Sequence, residues 1–167
     1  PRAPVWPALL AAAESQRVTG RALLDAFVLG AEAELRIGNA VYPSHYEAGF
    51  HATGTCGVFG AAAACARLLR LDLQRTSWAL SIAATQSAGL REMFGSDCKS
   101  LHPGKAARDG LTAALLAAKY FTSSERAIEA PRGFAHVLAS ARDFHAIGDA
   151  LGSPWELAAN MYKPFAC

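Results

Sequence analysis

Apolar residues recur at helical spacing along most of this chain, and no stretch alternates apolar and polar residues as a half-buried strand does. The clearest helical segment covers residues 20–39, and its apolar stripe consists of Leu23, Leu24, Phe27, Val28, Ala31 and Leu35. Thr19 can cap its first turn. Glu32 and Arg36 lie one turn apart, so we expect them to pair on the solvent side. The pattern predicts an all-α domain.

A second helix is predicted over residues 57–70, with Thr53 or Thr55 as its cap. Its small residues form a face that another helix can approach closely, and they are Gly57, Ala61 and Ala64. Further helices are predicted at 77–87 after Thr76, at 103–120 beginning with Pro103, at 124–128 after Ser123 or Ser124, and at 131–139. Proline is placed at the start of its helix because its missing N–H costs nothing in the first turn.

The segments between these helices carry proline or glycine and show no period. Residues 42–46 are predicted to form a connection, and Gly89 and Gly95 bracket an irregular segment. The region from residue 142 onward is broken by Gly148, Gly152 and Pro154. The chain lacks an initial Met and ends just after a Lys-Pro-Phe turn, so we expect it to be part of a longer protein.

Composition narrows the possible functions. Hydrophobic residues make up 52% of the 167 residues, with many alanines, which suits one domain of closely packed helices. A net charge of +2, spread along the chain, argues against nucleic-acid binding. The longest apolar run, residues 54–66, is too short to cross a membrane, and no signal peptide is visible. The cysteines at 56, 65, 98 and 167 form no C-x-x-C pair, which favours reduced cytoplasmic thiols over zinc ligands; one disulfide is the alternative.

His51 is the first candidate functional residue. It precedes a helix rich in Gly and Ala, where Gly49, Gly54 and Gly57 remove side chains and can leave space for a ligand near the ring. The alternative is a structural histidine that bonds a backbone carbonyl at a helix entrance.

A second candidate group consists of Lys99, His102 and Lys105, placed just before the helix predicted from Pro103. Cationic side chains would there reinforce unpaired N–H groups of the first turn, and Gly104 would let a carboxylate reach the backbone. Phosphate fits this pattern equally well, although no P-loop is present. A solvated basic loop is the alternative.

Other polar residues give weaker signals. Lys163 stands beside aromatic residues, and an exposed turn explains it as well as a function does. We interpret four further cations as solvated residues at helix ends, namely Arg67, Arg70, Arg75 and Lys119. Three histidines have no neighbours that indicate a role, namely His45, His136 and His145. No order of Ser, Cys, His and Asp indicates a nucleophile with its base.

Several of these motifs together resemble the MmgE/PrpD family, which includes 2-methylcitrate dehydratases, cis-aconitate decarboxylases and iminodisuccinate epimerases. The resemblance covers nearly the whole chain, and its motifs are Gly49-Phe50-His51 with Gly54-Thr55, residues 67–72, residues 79–83, residues 99–107, Gly133-Phe134 and Lys163-Pro164-Phe165. It implies a large helical domain followed by a smaller α+β lid, usually in a homodimer. The chain would then be a partial helical domain, with the lid after residue 167 and an earlier segment with Asp-Asp and His-Pro before it.

The resemblance also implies roles for individual residues. His51, Lys99 and Lys163 match catalytic or substrate-binding positions of the decarboxylase branch, whereas the His51 motif departs from the dehydratase branch. Substrate binding is expected from His102, Lys105, Gly104 and Thr53.

The resulting hypothesis is a lyase or isomerase that acts beside a carboxylate of a small di- or tricarboxylate. Loss of a proton or of carbon dioxide would leave an enediolate-like charge, held by Lys99 and Lys163, with His51 as general acid and base. No metal or organic cofactor is expected, and thiolates spaced for an iron–sulfur cluster of the aconitase kind are missing from the sequence. The alternatives are an iminodisuccinate-type epimerase and an inactive helical fragment with a structural or interaction role.

Overall fold

The computed structural model describes residues 2–159 and 161. Its helices are α1 (Arg2–Glu14), α2 (Gly20–Val41), α3 (Ser44–Glu47), α4 (Ala52–Thr55), α5 (Gly57–Leu68), α6 (Leu73–Thr85), α7 (Asp97–Ala118), α8 (Phe134–Leu138) and α9 (His145–Gly148), with 3-10 turns at Arg91–Met93 and Glu156–Ala159. Within these residues the only β-type pairing is an isolated bridge between Phe50 and Leu90. The predicted all-α class is confirmed.

Helix α5 is the centre of the domain, with α1, α2, α6 and α7 packed around it. It is apolar on all sides and buried along almost its whole length. A Cβ on Gly30 of α2 would lie 2.5 Å from the Gly60 carbonyl oxygen and 2.6 Å from the Ala64 Cβ. A Cβ on Gly110 of α7 would lie 2.5 Å from that of Ala61. The predicted close-approach face of this helix is therefore confirmed at Ala61 and Ala64.

Helix α1 was not predicted from the sequence, because the prolines near the start of the chain interrupt its pattern. Its buried residues nevertheless follow helical spacing, and they are Val5, Ala8, Leu9 and Ala12. A Cβ on Gly57 would overlap the ring of Pro4. Gly57 therefore makes room for α1, and the expectation that it leaves space for a ligand is wrong.

Helix α2 begins as predicted, since the Thr19 hydroxyl accepts a hydrogen bond from the Ala22 N–H at 3.2 Å. The Glu32–Arg36 pair also forms, with 2.7 Å between Oε1 and Nε. Its predicted exposure is wrong, because Glu32 is 6% and Arg36 5% exposed. The chain from residue 146 to 157 covers the pair and bonds to it through backbone groups.

Several local predictions are corrected by the structure. Asp72, not Thr76, caps α6, and its carboxylate accepts from the Arg75 N–H at 2.9 Å. No side chain caps α5, because the Thr55 hydroxyl bonds elsewhere.

The bounds of three short segments also differ from the prediction. Residues 44–47 form one helical turn inside the predicted connection, whereas 124–128 contains turns in place of a helix. The predicted helix at 131–139 is shortened to α8.

Helix α7 begins six residues before the predicted start, so the prediction from Pro103 is wrong. Ser96 adopts extended backbone angles at the N-cap, and Asp97 places a negative charge in the first turn, where the helix dipole favours it. Pro103 then lies inside the helix and has no N–H to offer the Lys99 carbonyl. Residues 99–105 consequently belong to the helix itself, so the argument from unpaired N–H groups at Gly104 and Lys105 is lost.

Candidate functional site

Backbone pairing between two loops fixes the position of His51. Its N–H donates to the Gly89 carbonyl at 3.0 Å, and the Arg91 N–H donates to the Gly49 carbonyl at 2.8 Å. Gly49 has a φ of +100°, which side chains disfavour. His51 is the N-cap residue of α4, and its imidazole makes no capping bond. The ring is thus held at a helix entrance while its nitrogens remain available for other partners.

The first turns of α7 supply the second part of the site. Lys99 and His102 are three residues apart, so they share one face of the helix. His102 is buried, at 6% exposure. A Cβ on Gly54 would lie 2.9 Å from the Ala88 carbonyl oxygen and 3.2 Å from the His102 Cβ. Gly54 therefore makes room for His102, and the expectation that it opens space for a ligand is wrong.

The two histidines are hydrogen-bonded to each other through their Nδ1 atoms, at 2.8 Å. One Nδ1 must donate and the other accept, so the bond holds a single proton between two rings. The Nε2 atoms of both rings lie outside this bond. The pair can therefore take or give a proton on its outer side while the inner bond keeps the rings aligned.

Phe94 connects the histidine pair with Lys99. The ring of His51 meets Phe94 edge to face, with 4.9 Å between centroids. The Lys99 ammonium lies 4.9 Å from the centroid of the same ring, at cation–π distance. Partial burial lowers the pKa of His51, and the charges of His102 and Lys99 lower that pKa further. His51 is consequently held as a neutral base near neutral pH.

Comparison with known proteins shows which family the chain belongs to. The model of the MmgE/PrpD N-terminal domain matches residues 1–147. The chain belongs to the MmgE/PrpD family.

Three relatives of this MmgE/PrpD chain are informative. It is 39% identical over 120 residues to the cis-aconitate decarboxylase-like protein oryM of Aspergillus oryzae, a match that covers 66% of this chain and 25% of the relative. Identity to the cis-aconitate decarboxylase of Aspergillus terreus is 36% over 120 residues, with 68% and 24% covered. Identity to the human cis-aconitate decarboxylase is 31% over 139 residues, with 80% and 29% covered. The chain spans about a quarter of the length of these relatives.

The other predicted substrate-binding residues of this MmgE/PrpD domain are placed differently. The Lys105 ammonium donates to Asp109 Oδ2 at 2.6 Å and to the Gln86 carbonyl at 2.9 Å, so the protein already engages it. Gly104 is exposed on α7, with open space beside it. Thr53 is half-buried in α4, two residues after His51. Lys163 lies outside the described residues.

A groove of about 440 Å³ opens beside Phe94. Its lining consists of Ala48, Gly49, Leu90, Arg91, Glu92 and Phe94. Phe94 is thus the residue that the groove shares with the histidine and lysine cluster. A separate cavity of about 650 Å³ is lined by Arg17, Arg67 and Arg70, among others, and Arg67 and Arg70 are exposed there, as predicted for helix ends.

Two residues of this region were missed by sequence reasoning. Phe94 carries no signal beyond its place in the irregular segment, because its contacts with residues 51 and 99 come from the tertiary fold. His45 is 1% exposed and bonds both Leu138 and Thr55, although nothing near it in sequence indicates a partner.

The described part of the chain shows neither a cluster of metal ligands nor a helix suited to span a membrane. Within residues 2–159 and 161, no group of three His, Cys, Asp or Glu side chains is arranged to hold a metal ion. The three cysteines in this part, Cys56, Cys65 and Cys98, are free thiols. None of the helices described is both long and apolar enough to cross a bilayer.

Proposed function

We propose that the protein containing this chain is a lyase that acts beside a carboxylate of a small di- or tricarboxylate, with decarboxylation of cis-aconitate as the leading reaction. The observation that carries the proposal is the 2.8 Å bond between His51 and His102, with the Lys99 ammonium on the adjoining aromatic ring. The names of the MmgE/PrpD relatives supply the candidate substrate.

His51 moves the proton in this proposal. In decarboxylation the bond from carbon to the departing carboxylate breaks, its electron pair remains on the substrate, and carbon takes up a proton. Because the lowered pKa leaves His51 mainly neutral, the ring must first take up a proton on its outer nitrogen, which the negative charge of bound carboxylates favours; the imidazolium so formed then gives that proton to carbon. In dehydration or epimerisation the neutral ring of His51 would instead remove the proton. His102 accepts or donates the inner proton and so keeps the outer Nε2 of His51 directed at substrate.

Lys99 holds a substrate carboxylate and stabilises the negative charge that develops in the transition state. Phe94 restrains the ammonium group at 4.9 Å, which reduces the entropy lost when substrate binds. Lys163 is proposed as a second carboxylate clamp. Binding roles for His102, Thr53, Gly104 and Lys105 remain predictions. Lys105 would have to bind substrate while its ammonium remains bonded to Asp109.

The remaining expectations concern the whole protein. Catalysis without a metal or organic cofactor, a homodimer and a cytoplasmic location stay predictions. A structural role without catalysis is the competing class, and an iminodisuccinate-type epimerase is the competing reaction. We expect the isolated 167-residue chain to be catalytically silent, so measurable turnover by it would contradict this expectation.

The test is a turnover assay of the full-length protein with cis-aconitate, 2-methylcitrate and iminodisuccinate. Release of carbon dioxide from cis-aconitate is the expected result, and His51→Ala is expected to lower turnover by roughly 100-fold or more. His145→Ala is the matched control, since that histidine is exposed and pairs only with Asp149 among the described residues. Unchanged turnover in His51→Ala would remove His51 from the mechanism.

A further inference from the structure

His45 lies close to the proposed base without belonging to the cluster that faces substrate. It is the most buried histidine of the described chain, at 1% exposure, in the single turn α3. Its Nδ1 lies 2.8 Å from the Leu138 carbonyl oxygen, and its Nε2 lies 2.7 Å from the Thr55 hydroxyl. Both ring nitrogens are therefore used inside the protein, as expected for a histidine that orders its surroundings.

The proton arrangement in this network follows from the partners. A carbonyl oxygen only accepts, so Nδ1 of His45 carries the hydrogen that bonds Leu138. Burial lowers the pKa of His45, which keeps the ring neutral. Its Nε2 is then an acceptor, and the Thr55 hydroxyl gives it its single proton. The 3.3 Å contact from that hydroxyl to the His51 carbonyl is consequently not a second hydrogen bond.

Thr55 links this network to the turn that begins at His51. The His51 carbonyl accepts from the backbone N–H groups of Gly54 at 2.8 Å and Thr55 at 3.1 Å. The Ser87 hydroxyl donates to the Thr55 carbonyl at 2.7 Å. The bond to His45 therefore holds the side chain of Thr55, which is the last residue of α4. Because the His51 carbonyl accepts the first hydrogen bonds of this turn, the position of His51 depends on the position of Thr55.

His45 also contacts the chain on the other side of His51. Its ring stacks on Phe50 with 4.7 Å between centroids and 9° between planes. Phe50 is the residue that pairs with Leu90 in the isolated bridge. One buried ring therefore contacts both the residue immediately before His51 and the end of the turn that follows it.

We propose that His45 is a positioning residue, which sets the orientation of the His51 imidazole through Thr55 and Phe50. The inference rests on the proposed function, because it assumes that His51 handles the proton. His51 has one ring partner, His102, among the described hydrogen bonds, so the direction of its outer nitrogen depends on how the backbone on either side is held. A displacement of that nitrogen slows proton transfer more than it weakens substrate binding.

The test compares Thr55→Val with Thr55→Ser in the full-length protein, using cis-aconitate as substrate. The valine removes the hydroxyl at nearly constant shape, whereas the serine retains it. We expect Thr55→Val to lower kcat by about tenfold with KM within about twofold, and Thr55→Ser to recover most of the loss. His45→Phe, which keeps a stacking ring, should lower kcat to a similar extent, and the double variant should be no worse than either single one.

His145→Phe is the matched histidine control and should leave kcat unchanged. A kcat for Thr55→Val equal to that of the wild type would overturn the inference, even if its melting temperature falls, since a merely structural network affects stability alone. His51→Ala, assayed in parallel, separates the two levels of failure. If it keeps its activity, the proposed role of His51 in the function is wrong; if it loses activity while Thr55→Val does not, only the role of His45 is wrong.

Discussion

Two clusters of polar side chains in this chain are bonded in different ways, and one is buried whereas the other is open to solvent at Lys99. In the first, Arg36 pairs with Glu32 at 2.7 Å and donates further to the carbonyls of Asp149 at 2.8 Å and Ala150 at 3.3 Å. The Glu32 carboxylate also accepts from the Glu156 N–H at 3.1 Å. Each charged group of this cluster is surrounded by partners from the protein itself.

The second group is bonded more sparsely. His51 and His102 share one hydrogen bond, and Lys99 faces an aromatic ring without a carboxylate within ion-pair distance among the described side chains. Three groups that can carry positive charge lie near one another there, which raises their mutual repulsion.

The difference indicates how to tell a structural polar cluster from a functional one. A buried ion pair whose hydrogen bonds are all made within the protein has no capacity left for a ligand. A cation that lacks a negative partner, as Lys99 does among the described side chains, gains one when a polycarboxylate binds. On this comparison the Glu32–Arg36 pair holds the segment from residue 146 to 157 in place, and the His51 cluster is the proposed binding site.

The largest expected effect tests the structural cluster. Arg36→Leu leaves the Glu32 carboxylate buried without its partner, and we expect the free energy of unfolding to fall by about 3–5 kcal/mol. Denaturant titration measures this loss. Arg21→Leu is the matched control, because its pair with Asp25 is exposed, and it should change stability by about 0.5 kcal/mol or less. An Arg36→Leu variant as stable as that control would contradict the structural assignment.

The next effect concerns the partner of the proposed base. His102→Leu removes the bond to His51 Nδ1 and should lower kcat by roughly 10- to 100-fold. His102→Asn can still place an amide near that atom, so it should retain more activity than the leucine variant. Steady-state kinetics with cis-aconitate measures the difference. Equal activity in the wild type and the leucine variant would show that the histidine pair has no catalytic role.

A smaller effect is expected from the exposed cation. Lys99→Met removes a charge-assisted contact with a substrate carboxylate and should raise KM by about tenfold, with a lesser change in kcat. Lys119→Met, at the other end of α7, is the control and should leave both constants unchanged. If Lys99→Met has unaltered KM and rate, Lys99 is a surface lysine without a role in binding.

The smallest effect is a pH dependence of stability. Burial lowers the pKa of His45 below its ordinary 6.5, so the unfolded chain binds more protons than the folded one once the pH falls through that value. Stability is therefore lost on acidification from pH 7.5 to 5.5. Melting temperatures of His45→Phe should decline less over this interval than those of the wild type. Identical declines would show that His45 does not titrate differently in the two states.

Local sequence patterns were sufficient for much of the fold. Thr19 and the small-residue face of α5 follow from helical spacing and side-chain size, which act within one helix. Pro103 misled the prediction because a favoured position for proline is a tendency that Ser96 and Asp97 outweigh. The burial of Arg36 was unpredictable, since it depends on a segment more than a hundred residues later in the chain.

In the candidate site, too, features set by local sequence could be predicted, whereas contacts made by the tertiary fold could not. Histidine and lysine at helix entrances, together with the family motifs, were enough to single out His51, Lys99 and His102. The bond between the two histidines, the shared contact with Phe94 and the network of His45 arise only when four separate segments meet. Lys105 is the opposite case. Its partner Asp109 lies one turn away on the same helix, so this pair could have been predicted from the sequence, but it was overlooked.

The most direct test of the proposed binding site is a crystal structure of the full-length protein with tricarballylate, a saturated tricarboxylate that cannot react. We expect a carboxylate within hydrogen-bond distance of the Lys99 ammonium and the carbon chain beside Nε2 of His51. Tricarballylate bound instead in the cavity lined by Arg17, Arg67 and Arg70, with the His51 cluster empty, would contradict this expectation.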